Sequence, residues 1–225
     1  FMGVSGVAPS PPQLETWTKR EAALQARGGL VFGPDPADAV PAGPAALRGL
    51  RTIPPRENGG NFDVKHLTAG ATLLLPVAVD GALFSTGDAH FAQGDGEVCL
   101  TAVEMSATCV VRFRVQRGEA ERRGVRWPRF QRSDYFVDPR WAVPRRFIAT
   151  MGMPVDDEGT NEDGNLNLAC RNAVLNMIAL LQERGFTREQ AYVICSVAVD
   201  LRINNVVDVP NFVVSAYLPE DIFQT

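Results

Sequence analysis

The chain has 225 residues, 45% of them hydrophobic and 21% charged, with a formal net charge of −4. That composition is ordinary for a soluble globular protein, with room for one large β-rich domain or one domain and a small appendage. The negative charge argues against nucleic acid or an anionic membrane surface as the main partner. No apolar run approaches the ~20 residues of a membrane helix, the best being LLLPVAV at 73–79.

Phe1 opens the chain without the basic start and apolar core of a signal peptide, so the sequence is expected to begin within a longer polypeptide. Residues 1–55 are rich in Pro, Gly and Ala and read as an irregular arm, interrupted by a short helix over Glu15 to Ala26. IPPRENGGNFD then forms a tight turn, with Gly59-Gly60 free to take positive φ. From Ala71 to Val115 the pattern is strand-like: TLLLPVAV, GALFSTG, GEVCLTAVEMSA and CVVRFRVQRG are short β-branched or alternating runs between Gly and Asp turns. In CVVRFRV, Val111, Phe113 and Val115 point one way and Arg112 and Arg114 the other. A Trp/Arg/Pro-rich connection leads to a possible edge strand, RRFIATMG.

The last quarter turns helical. Leu166, Ala169, Cys170, Ala173, Val174, Met177, Ile178 and Leu181 recur at helical spacing before the terminator Gly185. Thr187 and Gln190 form the capping box of a second helix over Arg188 to Val199, and VVDVPNFVVSAYLP supplies a final strand or two. The expected fold is mainly β with an α+β C-terminal portion: a jelly-roll-like β-sandwich core plus two late helices. The expected division is an arm over 1–55, a sandwich core carrying the site over 56–150 and an α+β portion over 151–225.

The chemistry concentrates in FSTGDAHFAQGDGEVCLTAVE, residues 84–104. Asp88, His90, Asp95, Glu97 and Glu104 lie there among glycines, and His90 is one of only two histidines in the chain, with His66. Clustered carboxylates around an imidazole suit a metal site or an acid/base site better than a core.

Three motifs then occur together and in order: PRENGGNxD, GDxHxxQGDGE and VVDxPN. With the flanking text RTIPPRENGGNFDVKHL and AVDLRINNVVDVPNFVVSAYLPEDIF, they make the chain resemble the acetamidase/formamidase family of amide hydrolases from Gly6 almost to its end. TWTKREAAL is similar to the formamidase branch, and GALFSTGDAHFAQGDGEV to the acetamidase branch. The resemblance implies hydrolysis of small amides, linear or cyclic, and an oligomer, while the free thiols point to a reducing cytoplasm. The resemblance also implies a longer chain, whose N-terminal half is a separate companion subunit, a released piece or a truncated part.

Amide resonance makes the carbonyl inert, so hydrolysis needs a potent nucleophile and a stabilised oxyanion; a divalent ion supplies both. Asp88 and His90, two residues apart, can bind one ion, with Asp63 as a further ligand and zinc as the expected metal. Glu97 would be the general base and acid, and Asn61 an oxyanion or amide contact. Bland readings compete: Asp88 as a turn cap, His90 as a hydrogen-bonded core residue, Glu97 as a carboxylate held by turn amides. Asp95, between two glycines, reads as a turn residue and His66 as a surface residue. Glu104, on an apolar strand, is either a buried carboxylate with a role at the site or part of an ion pair.

Other features are weaker. Eleven of the 22 basic residues fall between Arg112 and Arg146, but without RNA-binding aromatic motifs they read as a solvated or subunit-facing surface. DDEGTNEDGN, 156–165, lacks the order of a calcium loop, and Asn165 or a neighbour reads as a helix cap. The four cysteines lack CxxC spacing and are expected as buried free thiols; Cys99 is a possible nucleophile with no adjacent base. Asp200, Arg202 and Asp208 are expected in an ion-pair network or along the site. The rival to an enzyme is a non-catalytic β-sandwich subunit supporting an active site on a separate chain.

Overall fold

The structure, a computed structural model, describes residues 1–44, 46, 49–133 and 146–223. It divides into two compact units that interleave along the chain, one of Phe1–Ala89 with Ser106–Ser133 and one of His90–Met105 with Asp134–Thr225. Among the described residues nine strands form sheets of four, two and three strands, with no barrel. The class is mainly β with an α+β C-terminal portion, as the sequence leads one to expect.

In the first unit, β1 (Met2–Gly6) runs antiparallel to both β2 (Gly59–Asn61) and the first part of β4 (Ser85–Ala92). The arm is thus not irregular at its start: β1 is the middle strand of that trio. Pairing with β2 requires glycine, since a Cβ on Gly59 (φ 106°) would lie 2.5 Å from the Ser5 carbonyl oxygen. The expected positive φ is found at Gly59 and Gly60, but on strand β2; the tight turn itself is Arg56 to Gly59, whose backbones exchange bonds of 3.0 Å each way.

Helix α1 (Pro11–Gln25) begins four residues before its expected start. Prolines suit the first helical positions, where an N–H has no partner to lose, and the Ser10 N–H donates to Gln13 Oε1 at 2.8 Å. Its Trp17 is buried beneath the Arg56 guanidinium, 5.8 Å from the ring centre. Of TLLLPVAV only β3 (Thr72–Leu74) is a strand, paired with β6 (Arg129–Gln131).

The strand expected at CVVRFRV is not there. Residues 105–116 join no ladder, and Val110, Phe113 and Val115 are 92%, 66% and 83% exposed. Alternation describes what a strand would present to a neighbour, and among the described residues this run has no pairing neighbour. A short helix, α2 (Glu119–Arg122), follows. The later half of the Trp/Arg/Pro-rich connection, 134–145, lies outside the described residues.

In the second unit, β7 (Phe147–Gly152), β9 (Val213–Pro219) and β8 (Asp200–Asn205) form an antiparallel sheet with β7 at one edge, as expected, and β9 central. Strand β8 was not anticipated from AVDLRINN. Helices α3 (Leu166–Glu183) and α4 (Arg188–Ala198) pack with this sheet around Ala169, Met177, Leu181, Cys195, Val214 and Leu218. Both helices start on their expected caps: Asn165 Oδ1 accepts from Leu168 N at 3.0 Å, and Thr187 Oγ1 from Gln190 N at 3.2 Å. Of GEVCLTAVEMSA only β5 (Val103–Glu104) is a strand; it pairs with the end of β4 across an irregularity between His90 and Ala92.

Candidate metal centre

The site begins with the turn that follows β2. Arg56, 5% exposed, donates to the carbonyls of Arg51 and Pro54 at 2.7 and 2.8 Å and to Glu21 Oε1 at 2.8 Å. Buried Asn58 donates its amide to the Val7 carbonyl at 2.6 Å. So framed, the chain leaves β2 with the N–H groups of Phe62 and Asp63 both on the Gly3 carbonyl of β1, at 2.9 and 3.1 Å. Asp63 takes φ 50° there.

On the other side of β1, β4 carries Asp88 at φ 58°, and His90 follows it by two residues on the same strand. One ligand atom from each of Asp63, Asp88 and His90 lies within 4.8 Å of the other two. His90 is 1% exposed, and its Nδ1 is 2.9 Å from Oε1 of buried Gln93. Two carboxylates and one imidazole are a donor set that fits a divalent cation.

Six non-glycine residues have positive φ among those described, and three are Asp63, Asp88 and Glu97. Such conformations cost about 1–3 kcal/mol and persist only where surrounding structure imposes them, which happens most at functional sites.

After His90 the chain enters the 93–101 loop, anchored on α4 and β8. Gly94 N donates to the Ser196 carbonyl at 2.9 Å, and a Cβ there would be 2.2 Å from the Val199 oxygen. Asp95 N donates to Asp200 Oδ1 and Leu201 N to the Asp95 carbonyl, each at 3.1 Å. Cys99 N donates to Ser196 Oγ at 3.1 Å, and that hydroxyl donates on to the Thr101 carbonyl at 2.6 Å. The Tyr192 hydroxyl donates to the Val98 carbonyl.

A family model described as the acetamidase/formamidase family matches residues 1–225. The chain belongs to that family. A formamidase of Methylophilus methylotrophus is 35% identical over 236 residues, which take in 99% of this chain and 57% of that protein. An acetamidase of Mycolicibacterium smegmatis is 39% identical over 209 residues, 85% of this chain and 50% of that protein. Among solved structures, the gamma lactamase from Delftia acidovorans superposes with a TM-score of 0.82 at 34% identity, over all of this chain and 57% of that one. The chain therefore spans about half the length of the curated relatives it matches.

Set against the family motifs, the structure brings Asp63, Asp88 and His90 together. Asn61 ends β2, half-buried, and Glu97, half-buried in the anchored loop, is not among the three clustered residues. Glu104 is exposed on β5, opposite His90 in the ladder, so of its two expected readings the buried carboxylate does not hold. Asp95 is a turn residue and His66 is exposed, as expected. Asp200 serves the loop, and the Arg202 guanidinium lies over the Tyr217 ring at 4.8 Å.

Asp156 Oδ1 accepts the N–H groups of Glu158 and Thr160 at 3.0 and 2.7 Å, so that acidic segment is an aspartate-capped turn. All four cysteines are free, but only Cys195 is buried; burial, helped by neighbouring Cys99, pushes its thiol up to about 12. Cys109 is exposed on the unpaired run, against expectation. Sequence reasoning missed Arg56, Gln93 and Ser196. Gln93 had a signal in HFAQGDG, three residues beyond the histidine, whereas nothing local marks Ser196 as an anchor for a loop some hundred residues earlier.

Proposed function

We propose that the protein hydrolyses the C–N bond of a small amide, linear or cyclic, to a carboxylate and an amine or ammonia. The observation that carries the reading is the approach of Asp63, Asp88 and His90 to within 4.8 Å, in a chain 35% and 39% identical to proteins named formamidase and acetamidase. A divalent cation held by these three residues, zinc by the donor chemistry, would lower the pKa of a bound water far below that of bulk water and would polarise the amide carbonyl.

The chain's own residues do the rest. Glu97 accepts a proton from the attacking water and returns it to the leaving nitrogen, so that its charge is restored at each turnover. Asn61 donates its side-chain amide to the oxygen on which negative charge develops. Glu104, opposite His90 in the ladder, is a second carboxylate for proton handling. Free thiols suit a reducing, cytoplasmic setting.

The test is ammonia release from formamide, acetamide and propionamide, and ring opening of a γ-lactam, by the native protein alongside its elemental analysis. Activity should fall with chelation and in His90→Ala and Glu97→Gln variants that keep their fold. Full activity in both variants would sink the mechanism. Because the chain spans about half its relatives' length, it is assayed alone and with any co-purifying polypeptide. A companion that turns over amide without this chain would instead make the chain a supporting subunit.

A further inference from the structure

We infer that Gln93 is a positioning residue for the metal centre: its side-chain oxygen accepts the Nδ1–H of His90 and so holds the imidazole in the tautomer whose lone pair is on Nε2. The inference rests on the reading of Asp63, Asp88 and His90 as ligands. Neutral imidazole carries one proton on either of its two nitrogens, and only the unprotonated one can ligate. Tumbling between tautomers or ring orientations therefore weakens a histidine ligand, and an acceptor fixed on one nitrogen removes that freedom.

Gln93 has the placement this needs. It is 7% exposed, His90 is 1% exposed, and Oε1 and Nδ1 are 2.9 Å apart. A surface glutamine is a poor acceptor for this purpose, because water competes and its rotamers are many. Here the backbone just beyond it is pinned by the 2.9 Å bond from Gly94 N to the Ser196 carbonyl. The missing Cβ of Gly94 lets that backbone lie against Val199, where a side-chain carbon would be 2.2 Å from the carbonyl oxygen. The ladder irregularity between His90 and Ala92 lies within the three-residue span that brings the amide back onto the ring. Ser196 and Gly94 thus act through Gln93, and Gln93 through His90.

Two measurements on 15N-histidine-labelled protein decide the matter. In the metal-free protein near pH 8, where an ordinary imidazole is neutral, long-range 1H–15N spectra report the tautomer. This chain has only His66 and His90, and the signal lost in His90→Ala identifies its own. His90 should be protonated at Nδ1 in the wild type and in Gln93→Glu, which keeps an acceptor, but mixed in Gln93→Leu and in the more nearly isosteric Gln93→Met. Zinc affinity, by competition with a chromophoric chelator, should fall about 10–100-fold in Gln93→Leu and Gln93→Met and be retained in Gln93→Glu.

An Nε2-protonated His90 in the wild type overturns the inference whatever the variants do. So does wild-type zinc affinity in Gln93→Leu when His90→Ala has lost it, an outcome that leaves the ligand reading standing. If wild type and His90→Ala bind zinc equally weakly, the ligand reading itself fails, and the role of Gln93 fails with it.

Discussion

Replacing Gly94 by alanine places a methyl carbon 2.2 Å from the Val199 carbonyl oxygen, 2.7 Å from its nitrogen and 2.9 Å from its carbonyl carbon. All three are backbone atoms, so no side chain can swing aside. Carbon–oxygen contacts in folded proteins settle near ~3.3–3.6 Å, so the loop must retreat by about 1 Å. That takes the 2.9 Å bond from Gly94 N to the Ser196 carbonyl beyond hydrogen-bond range. It also strains the two 3.1 Å bonds on either side of Asp95. At ~1 kcal/mol for each bond lost, the variant should be destabilised by about 2–3 kcal/mol. With a urea slope of about 2–3 kcal/mol/M, the unfolding midpoint falls by roughly 1 M. Hydrogen exchange gives the local readout, with the amides of Asp95 and Leu201 losing protection first. Gly87→Ala is the matched control: its Cβ would meet nothing within 4 Å, so it should cost nothing, or stabilise by about 0.4–1 kcal/mol through the unfolded chain. An unchanged midpoint and unchanged exchange in Gly94→Ala would refute the claim that this glycine is a steric requirement.

Arg56→Ala should cost about 3–5 kcal/mol, since it strips a charge partner from Glu21 and two carbonyls of their donor, and melting should drop by about 10 °C. Arg56→Lys should recover only part of this, a single ammonium being unable to serve all three acceptors. Alkylation followed by mass spectrometry should label Cys109 rapidly at about pH 8, while Cys195, its thiol pushed up to about 12 by burial, reacts only on unfolding; early labelling of Cys195 would contradict its placement in the core. The Arg20 guanidinium, on the Glu57 oxygens at 2.8 and 3.2 Å, holds that carboxyl below its ordinary 4.5. A lowered folded value means stabilisation that is full above 4.5 and lost as pH falls through the folded value. With Arg20 half-exposed the gain is about 1 kcal/mol or less, so wild type should melt slightly above Glu57→Gln at pH 7 and the gap should shrink as pH falls below 4.5.

Helices α3 and α4 and their caps were legible from the sequence because a helix is a local object. Its bonds span four residues, its caps lie within three, and Asn165, Thr187, Gln190 and Gly185 announce both ends within one turn. The family was legible for a similar reason, its motifs being contiguous strings. So was the pairing of Asp88 with His90, two residues apart on β4.

What the tertiary structure alone decided is non-local. Strand β1 reads as part of a Pro/Gly-rich arm, yet it lies between β2 and β4, and its Gly3 carbonyl fixes Asp63. CVVRFRV has the alternation of a strand, but a strand exists only by pairing, and the sequence of one run does not contain its neighbour. Glu104 sits on an apolar run that suggests burial, yet the fold leaves it exposed. Asp63, twenty-five residues before Asp88, was a candidate on chemistry; only folding across β1 brings its carboxylate to within 4.8 Å of Asp88 and His90. The sequence by itself determined which groups the centre has to work with. The pairing of β1 with two strands, and the clamp of the 93–101 loop on α4 and β8, decided which of them meet, because those contacts join residues too far apart in the chain for any local pattern to record.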